Sequence, residues 1–275
     1  MLFQSENIKE VFDQQGYYGP VNFLEADELD YFISERDRHI QEIDWMNSDY
    51  RRKANFLFPF INKLSKHPTL IEYVKKIIGP NFSCYDSYVW NKDPRNKKQV
   101  PYHRDGIYWN FKDQTRALTV WITLSGSTKE MGCLKYVRDS HKYKTVNDKI
   151  IFDKQNADDA VDYVETTPGQ FLMHHPYMLH GSDENQSNIF RDGYSFCFVA
   201  TDTDLAYQVS PESTIMISGI DEHNYLLHEQ DPTGNWNEDL KIWNNSVDWQ
   251  SNNFVELIKN SGFELPGLGL KEKTS

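Results

Sequence analysis

What most limits how this chain can fold is a change of hydrophobic period at Gly79-Pro80. Ahead of it, apolar residues recur at helical spacing. Leu29, Phe32, Ile33, Ile40 and Ile43 do so between Leu24 and Ile43, among many charges. A second helix is expected from Pro68, which suits a first turn, through the stripe Leu70, Ile71, Val74, Ile77 and Ile78, to a stop at Gly79-Pro80. Beyond that point the segments are short. Leu118 to Leu124 (LTVWITL) and Tyr194 to Thr201 (YSFCFVAT) alternate with period two, and Phe82 to Trp90 is rich in aromatics. Gln170 to Leu179 follows the Pro168-Gly169 turn signal as one mostly apolar strand. Several short strands with turns between them predict a sandwich or a closed barrel, a jelly roll being one such form.

Composition narrows the class of partner. The chain carries 41 acidic against 29 basic residues, a net charge of −12, which repels phosphate backbones and anionic membrane surfaces. Neither a nucleic acid nor a membrane is expected as partner. The one basic run, Lys92 to Lys98 (KDPRNKK), reads as a solvated loop. Cys84, Cys133 and Cys197 lie far apart without a CxxC pair, against both a disulfide scaffold and a structural zinc site. The N-terminal MLFQSENIKEVF lacks a basic segment followed by a long apolar one, and no apolar run reaches membrane-spanning length, so a cytoplasmic location is expected. The expected organisation is a single domain over 1–275, with helices to about 80, a β core over about 81–201 and an extension or lid over about 202–275. That extension carries Trp236, Trp243 and Trp249, and Phe254, Leu257 and Ile258 as a short amphipathic face.

Nine histidines occur, and three contexts stand out. His103 and Asp105 sit one residue apart in VPYHRDGIYW; on a strand, such residues share a face. His180 ends the apolar segment FLMHHPYMLHG. Two imidazoles and a carboxylate form the facial triad that suits non-haem iron(II) and leaves coordination positions open. Arg191 follows at the approach to YSFCFVAT, and its guanidinium can grip a carboxylate through two bonds. Asp139 and His141 form a second acid–imidazole pair, ranked below the first. Within the apolar strand, at least one of His174 and His175 reads as a satisfied core histidine.

Together these residues resemble the phytanoyl-CoA dioxygenase family of iron(II)/2-oxoglutarate oxygenases. The carrying segments are YHRDGIYW (Tyr102 to Trp109), Leu118 to Lys142, PGQFLMHHPYMLHGS (Pro168 to Ser182) and Arg191-Asp192-Gly193, with GYYGPVNFL (Gly16 to Leu24) like the family's opening strand. The resemblance spans about residues 10 to 201. It implies a double-stranded β-helix, a cupin-like jelly roll, flanked by helices. It further implies His103, Asp105 and His180 as iron ligands and Arg191 as the clamp on the distal carboxylate of 2-oxoglutarate. Ser182 would also bond that carboxylate, and Trp121 would line the co-substrate pocket. The implied reaction consumes O2 and 2-oxoglutarate, releases succinate and CO2, and oxidises a C–H bond of a small molecule. Family substrates include coenzyme A- or carrier-bound acids, amino acids and small polar metabolites. Halogenating members replace the carboxylate ligand with a small residue, so Asp105 implies hydroxylation or a related oxidation. Where the family has Pro-Gly-Ser-His-Lys, this chain has Arg138-Asp139-Ser140-His141-Lys142, a departure that bears on a loop's shape. Tyr108, Trp109 and Phe111 are candidates for the substrate wall. Two other readings use the same residues: a non-catalytic jelly roll binding a ligand beside a vestigial metal site, and a zinc-dependent hydrolase.

Overall fold

In a computed structural model that describes residues 7–42, 49–94, 98–109, 111–142, 160–204, 214–222 and 231–246, the two hydrophobic periods become two layers. The helical layer holds α1 (Ile8–Gln15), α2 (Ala26–Glu42), α3 (Pro59–Ser65) and α4 (Pro68–Ile78). In chain order the strands are β1 (Tyr17–Asn22), β2 (Phe82–Val89), β3 (Val100–His103), β4 (Ala117–Thr123), β5 (Leu134–Val137), β6 (Val161–Val164), β7 (Gln170–His174), β8 (His180–Ser182), β9 (Tyr194–Ala200) and β10 (Ile215–Ser218). They form a six-stranded antiparallel sheet in the order β1-β7-β4-β9-β2-β10, and a four-stranded one in the order β3-β8-β5-β6. Two facing antiparallel sheets of this kind are the jelly roll expected from the sequence.

Local chemistry explains the helix limits. Pro68 occupies the first turn of α4, the His67 side chain accepts from Thr69 N, and Gly79 at φ 94 ends it. The stripe Leu70, Val74, Ile77 and Ile78 is buried against the larger sheet's helix-facing side. All seven residues of β4 are buried, because its two faces enter different cores. Leu118, Val120 and Ile122 join Phe171, Met173, Phe196 and Phe198 under the helices. Ala117 and Trp121 face the interior between the sheets.

Two expectations change, and a third gains its detail. Gln170 to Leu179 is not one strand: β7 stops at His174, a turn closed by Met178 N to His175 O (2.8 Å) contains Pro176, and β8 begins at His180 in the other sheet. Proline has no N–H to continue the ladder, and the chain crosses between layers there. Both β1 and β10 join the larger sheet, so the β structure reaches beyond 81–201 on either side. Finally, Trp243 lies in a helix over residues 236–246 (α5) that packs on the segment around Tyr50, with Trp243 Nε1 donating to Arg52 O at 2.8 Å. Trp236 meets Tyr50 and Phe58 there as well. Trp249, Phe254, Leu257 and Ile258 lie outside the described residues. Among the described residues, no helix is long and apolar enough to cross a membrane, and the three cysteines are free thiols.

Candidate active site

β3 and β8 pair so that His103 and His180 are direct cross-strand partners. Asp105 is not on that strand, contrary to the same-face reasoning that linked it to His103. It opens a 3-10 turn, Asp105–Tyr108, which folds the carboxylate back toward both rings. Gly106 makes this turn possible: its N–H donates to Pro176 O (2.9 Å), and a Cβ there would lie 2.7 Å from Gln114 Oε1 and 3.0 Å from Pro176.

One donor atom from each of His103, Asp105 and His180 lies within 4.8 Å of the other two. Both rings are oriented alike. His103 Nδ1–H donates to Pro101 O and His180 Nδ1–H to Met178 O, each at 2.9 Å, leaving the Nε2 lone pairs directed inward. Those Nε2 atoms stand 3.5 and 3.8 Å from Asp105 Oδ1. The other carboxylate oxygen is occupied: Thr119 Oγ1 donates to Oδ2 at 2.6 Å, and His174 Nε2 lies 3.1 Å from it. His174 Nδ1 in turn meets the buried Tyr136 hydroxyl at 3.1 Å. Donation from Tyr136 to Nδ1 leaves the Nε2–H for Asp105, which satisfies all three groups. The donor set therefore fits a divalent transition metal: two neutral nitrogens and one oxygen converge, and the groups behind them are hydrogen-bonded.

Charge is poised accordingly. Burial opposes ionisation of Asp105, yet His180, His103 and His174 outweigh it and hold the carboxyl well below its usual range. Burial, then the neighbouring His103 and His174, keeps His180 well below the ordinary imidazole value, so it stays neutral. Burial also pulls on His103, but its bond to Asp105 and that carboxylate's charge raise it instead.

Arg191 precedes β9 and is 1% exposed. Its Nη1 donates to Gly132 O (2.6 Å), its Nη2 to Trp90 O (3.0 Å), and the cation sits 5.4 Å over the Trp121 ring. Burial lowers its pKa to about 10. Its Nε is buried and has no partner among the described residues, an unmet donor that an acidic ligand would satisfy. Ser182 is buried at the end of β8. Trp121 packs with Leu134, Tyr136, Leu172 and Met178 between the sheets. Next to Arg191, the fully buried Asp192 accepts from Leu124 N, Ser125 N and the Thr123 and Ser125 hydroxyls through Oδ1, and from Arg36 through Oδ2.

Other expected residues fall differently. Phe111 is buried edge-on against Tyr85, with Trp109 beside it and Ala117 and Val199 below, on the interior face of β4 and β9. The Tyr108 side chain lies outside the description. Asp139 and His141 do not converge: Asp139 pairs with Lys142, and His141 Nε2 donates to Asp13 O at 3.0 Å. Asp139 has φ 62, the left-handed conformation that a glycine would adopt, so the turn survives the departure at this position. His175 is the structural histidine, its N–H on Gly16 O and its Nδ1 accepting from Tyr177 N. Lys92 is no solvated residue but 4% exposed, and Arg95 to Lys97 lie outside the described residues. Sequence reasoning missed Thr119 and the role of His174. The available signal was periodicity: Thr119 alternates with Trp121, and His174 with Leu172, on interior-facing positions of two neighbouring strands.

The model of the phytanoyl-CoA dioxygenase family (PhyH) matches residues 12–193. A probable phytanoyl-CoA dioxygenase of Caenorhabditis elegans is 29% identical over 174 residues, covering 57% of this chain and 55% of that protein. A probable alpha-ketoglutarate-dependent hypophosphite dioxygenase of Stutzerimonas stutzeri is 27% identical over 160 residues, covering 53% and 54%. The match thus spans about half the length of these curated relatives. Among solved structures, the apo form of the non-heme monooxygenase ThoJ superposes with a TM-score of 0.81 at 19% identity, over 92% of this chain and 99% of that one, a likeness of fold.

Proposed function

This chain belongs to the phytanoyl-CoA dioxygenase family, and from that premise we propose that it is a non-haem Fe(II)/2-oxoglutarate-dependent dioxygenase acting within a single domain. It hydroxylates, or otherwise oxidises, a C–H bond of a small-molecule metabolite and releases succinate and CO2. The observation that carries this reading is the convergence of His103 Nε2, His180 Nε2 and Asp105 Oδ1, each fixed from behind by a hydrogen bond to its other heteroatom. Iron held there by His103, Asp105 and His180 would supply dioxygen activation, with 2-oxoglutarate as the co-substrate.

The chain's own residues do the remaining work. His103 and His180 offer neutral nitrogens, and Asp105 stays ionised and brings one negative charge. Thr119 and His174 keep Oδ2 engaged, so Oδ1 alone points at the metal position. Arg191, with its unmet Nε, and Ser182 would receive the distal carboxylate of the co-substrate, with Trp121 walling it in. Trp109 and Phe111 stand on the interior face beyond the ligands and would shape the substrate pocket and exclude water. A free metabolite, an amino-acid-like molecule or a carrier- or coenzyme A-bound acid is the substrate class, the relatives' names covering a coenzyme A thioester and a small free anion. The retained carboxylate of Asp105 supports hydroxylation over halogenation.

The deciding experiment is anaerobic addition of Fe(II) and 2-oxoglutarate, watching for a weak visible charge-transfer band. The expected result is a band in the wild type that disappears in His180→Ala and weakens strongly in Arg191→Ala. Iron binding without the band would instead favour the vestigial site, and catalysis with zinc in the absence of oxygen would favour the hydrolase.

A further inference from the structure

Lys92 and Arg191 are bound to each other through both backbone groups, Lys92 N to Arg191 O at 2.8 Å and Arg191 N to Lys92 O at 3.1 Å. Residues opposed in this way on antiparallel segments send their side chains to the same side, about 5 Å apart. Both side chains leave water almost completely, at 4% and 1% exposure. Among the described residues, neither ends on a carboxylate. Lys92 Nζ donates to the main-chain oxygens of Ser182 (3.2 Å) and Asp183, as Arg191 donates to those of Gly132 and Trp90. Burying one cation on neutral acceptors is costly, and placing a second beside it adds repulsion. An arrangement of that kind is stable in the presence of an anion.

The location matches one anion in particular. Of the two carbonyls that hold Lys92, that of Ser182 ends β8, the three-residue strand that begins with His180, and that of Asp183 follows it. At about 3.3 Å per residue, the Ser182 end of β8, where Lys92 is held, lies roughly 7 Å along the strand from His180, a span a short diacid can bridge.

We propose that Lys92 is the second cation of the co-substrate seat, a positioning residue that shares the distal carboxylate's charge with Arg191 and pins the Ser182 end of β8 beside it. This rests on the Fe(II)/2-oxoglutarate reading above. The titration of Lys92 agrees: burial, then the charge of Arg191, lowers its pKa to about 7, with Asp183 opposing, Lys135 adding to the shift and the Cys133 thiol facing it. Asp183 is itself paired with Lys135. In the empty seat Lys92 therefore loses its proton as pH rises through neutrality, and a bound carboxylate holds the proton on.

The test measures affinity, not turnover. 2-Oxoglutarate is titrated anaerobically into the Fe(II)-loaded protein between pH 6.5 and 8.5, by the charge-transfer band and by calorimetry. Wild-type affinity should weaken across that range. Lys92→Met should weaken it by about tenfold at pH 6.5 and flatten the profile, and Lys92→Arg should restore tight binding without the slope. 2-Oxopentanoate, which chelates through the same keto acid but has no distal carboxylate, should bind the wild type without that slope, a comparison needing no variant. Equal affinity in Lys92→Met, or the same slope with 2-oxopentanoate, would overturn the role of Lys92. Absence of any charge-transfer band in the wild type would overturn the oxygenase reading, and this proposal with it.

Discussion

The two oxygens of Asp105 have separate tasks, and that division is the finest feature of the site. Oδ1 faces His103 and His180, while Oδ2 is held by Thr119 and His174. Removing the His174 partner should let the carboxylate rotate, because one hydroxyl cannot fix it alone. His174→Phe is therefore expected to lower Fe(II) affinity by roughly 10- to 100-fold without unfolding the protein, as read by anaerobic metal titration. Titration gives a second expectation. His103 has a raised pKa in the fold, so its charge contributes stability to the metal-free protein that is fully present below the unfolded imidazole value. That contribution is lost as pH rises through the folded one. The metal-free melting temperature should fall with pH across that window more steeply in the wild type than in His103→Asn. Saturating Fe(II) should remove the difference, since an imidazole bound to metal through Nε2 cannot take up the second proton there. Part of this was legible in the sequence: His103, Asp105 and His180 could be singled out as candidates from the motif and the family likeness, and the fold brings their donor atoms together. Thr119 and His174 could not be, because their meaning depends on a partner, Asp105, that only the tertiary fold brings within reach.

At the scale of elements, the organising group is Asp192. Its carboxylate closes the turn after β4 with four hydrogen bonds and reaches α2 through Arg36, thereby fixing the Arg191-Asp192-Gly193 segment. Asp192→Ala would strand the buried N–H groups of Leu124 and Ser125 and the charge of Arg36. A loss of about 3–5 kcal/mol is expected in urea unfolding. Gly193 adds a steric constraint: a Cβ would lie 2.8–3.0 Å from the Trp121 ring. Gly193→Ala should cost about 1–3 kcal/mol and displace the indole on which the Arg191 guanidinium rests, weakening 2-oxoglutarate binding in the same titration. Period two revealed β4 and β9 closely, and proline and glycine marked both ends of α4. The same rules joined β7 to β8, since an apolar run carries no sign of where a chain leaves one sheet for another. Composition also misjudged Lys92, whose surroundings in the sequence are solvated loop and whose surroundings in space are backbone carbonyls.

For the molecule as a whole, the architecture was readable because each hydrophobic period serves one layer, the helices covering the outer face of the larger sheet and the smaller sheet closing the inner one. What could not be read was the membership of the outer strands: β1 and β10 come from segments whose pattern is weak and whose place is set by the neighbours they pair with. The opposition of His103 and His180 has a consequence in polymer terms. A metal bridging them would join two positions far apart in the chain and enclose β4 to β7 in one loop, as a disulfide would, but reversibly. The folded chain would gain about 2.7 kcal/mol at a free metal concentration a hundred times its dissociation constant. Iron supply would then set how long the protein persists as well as how fast it turns over.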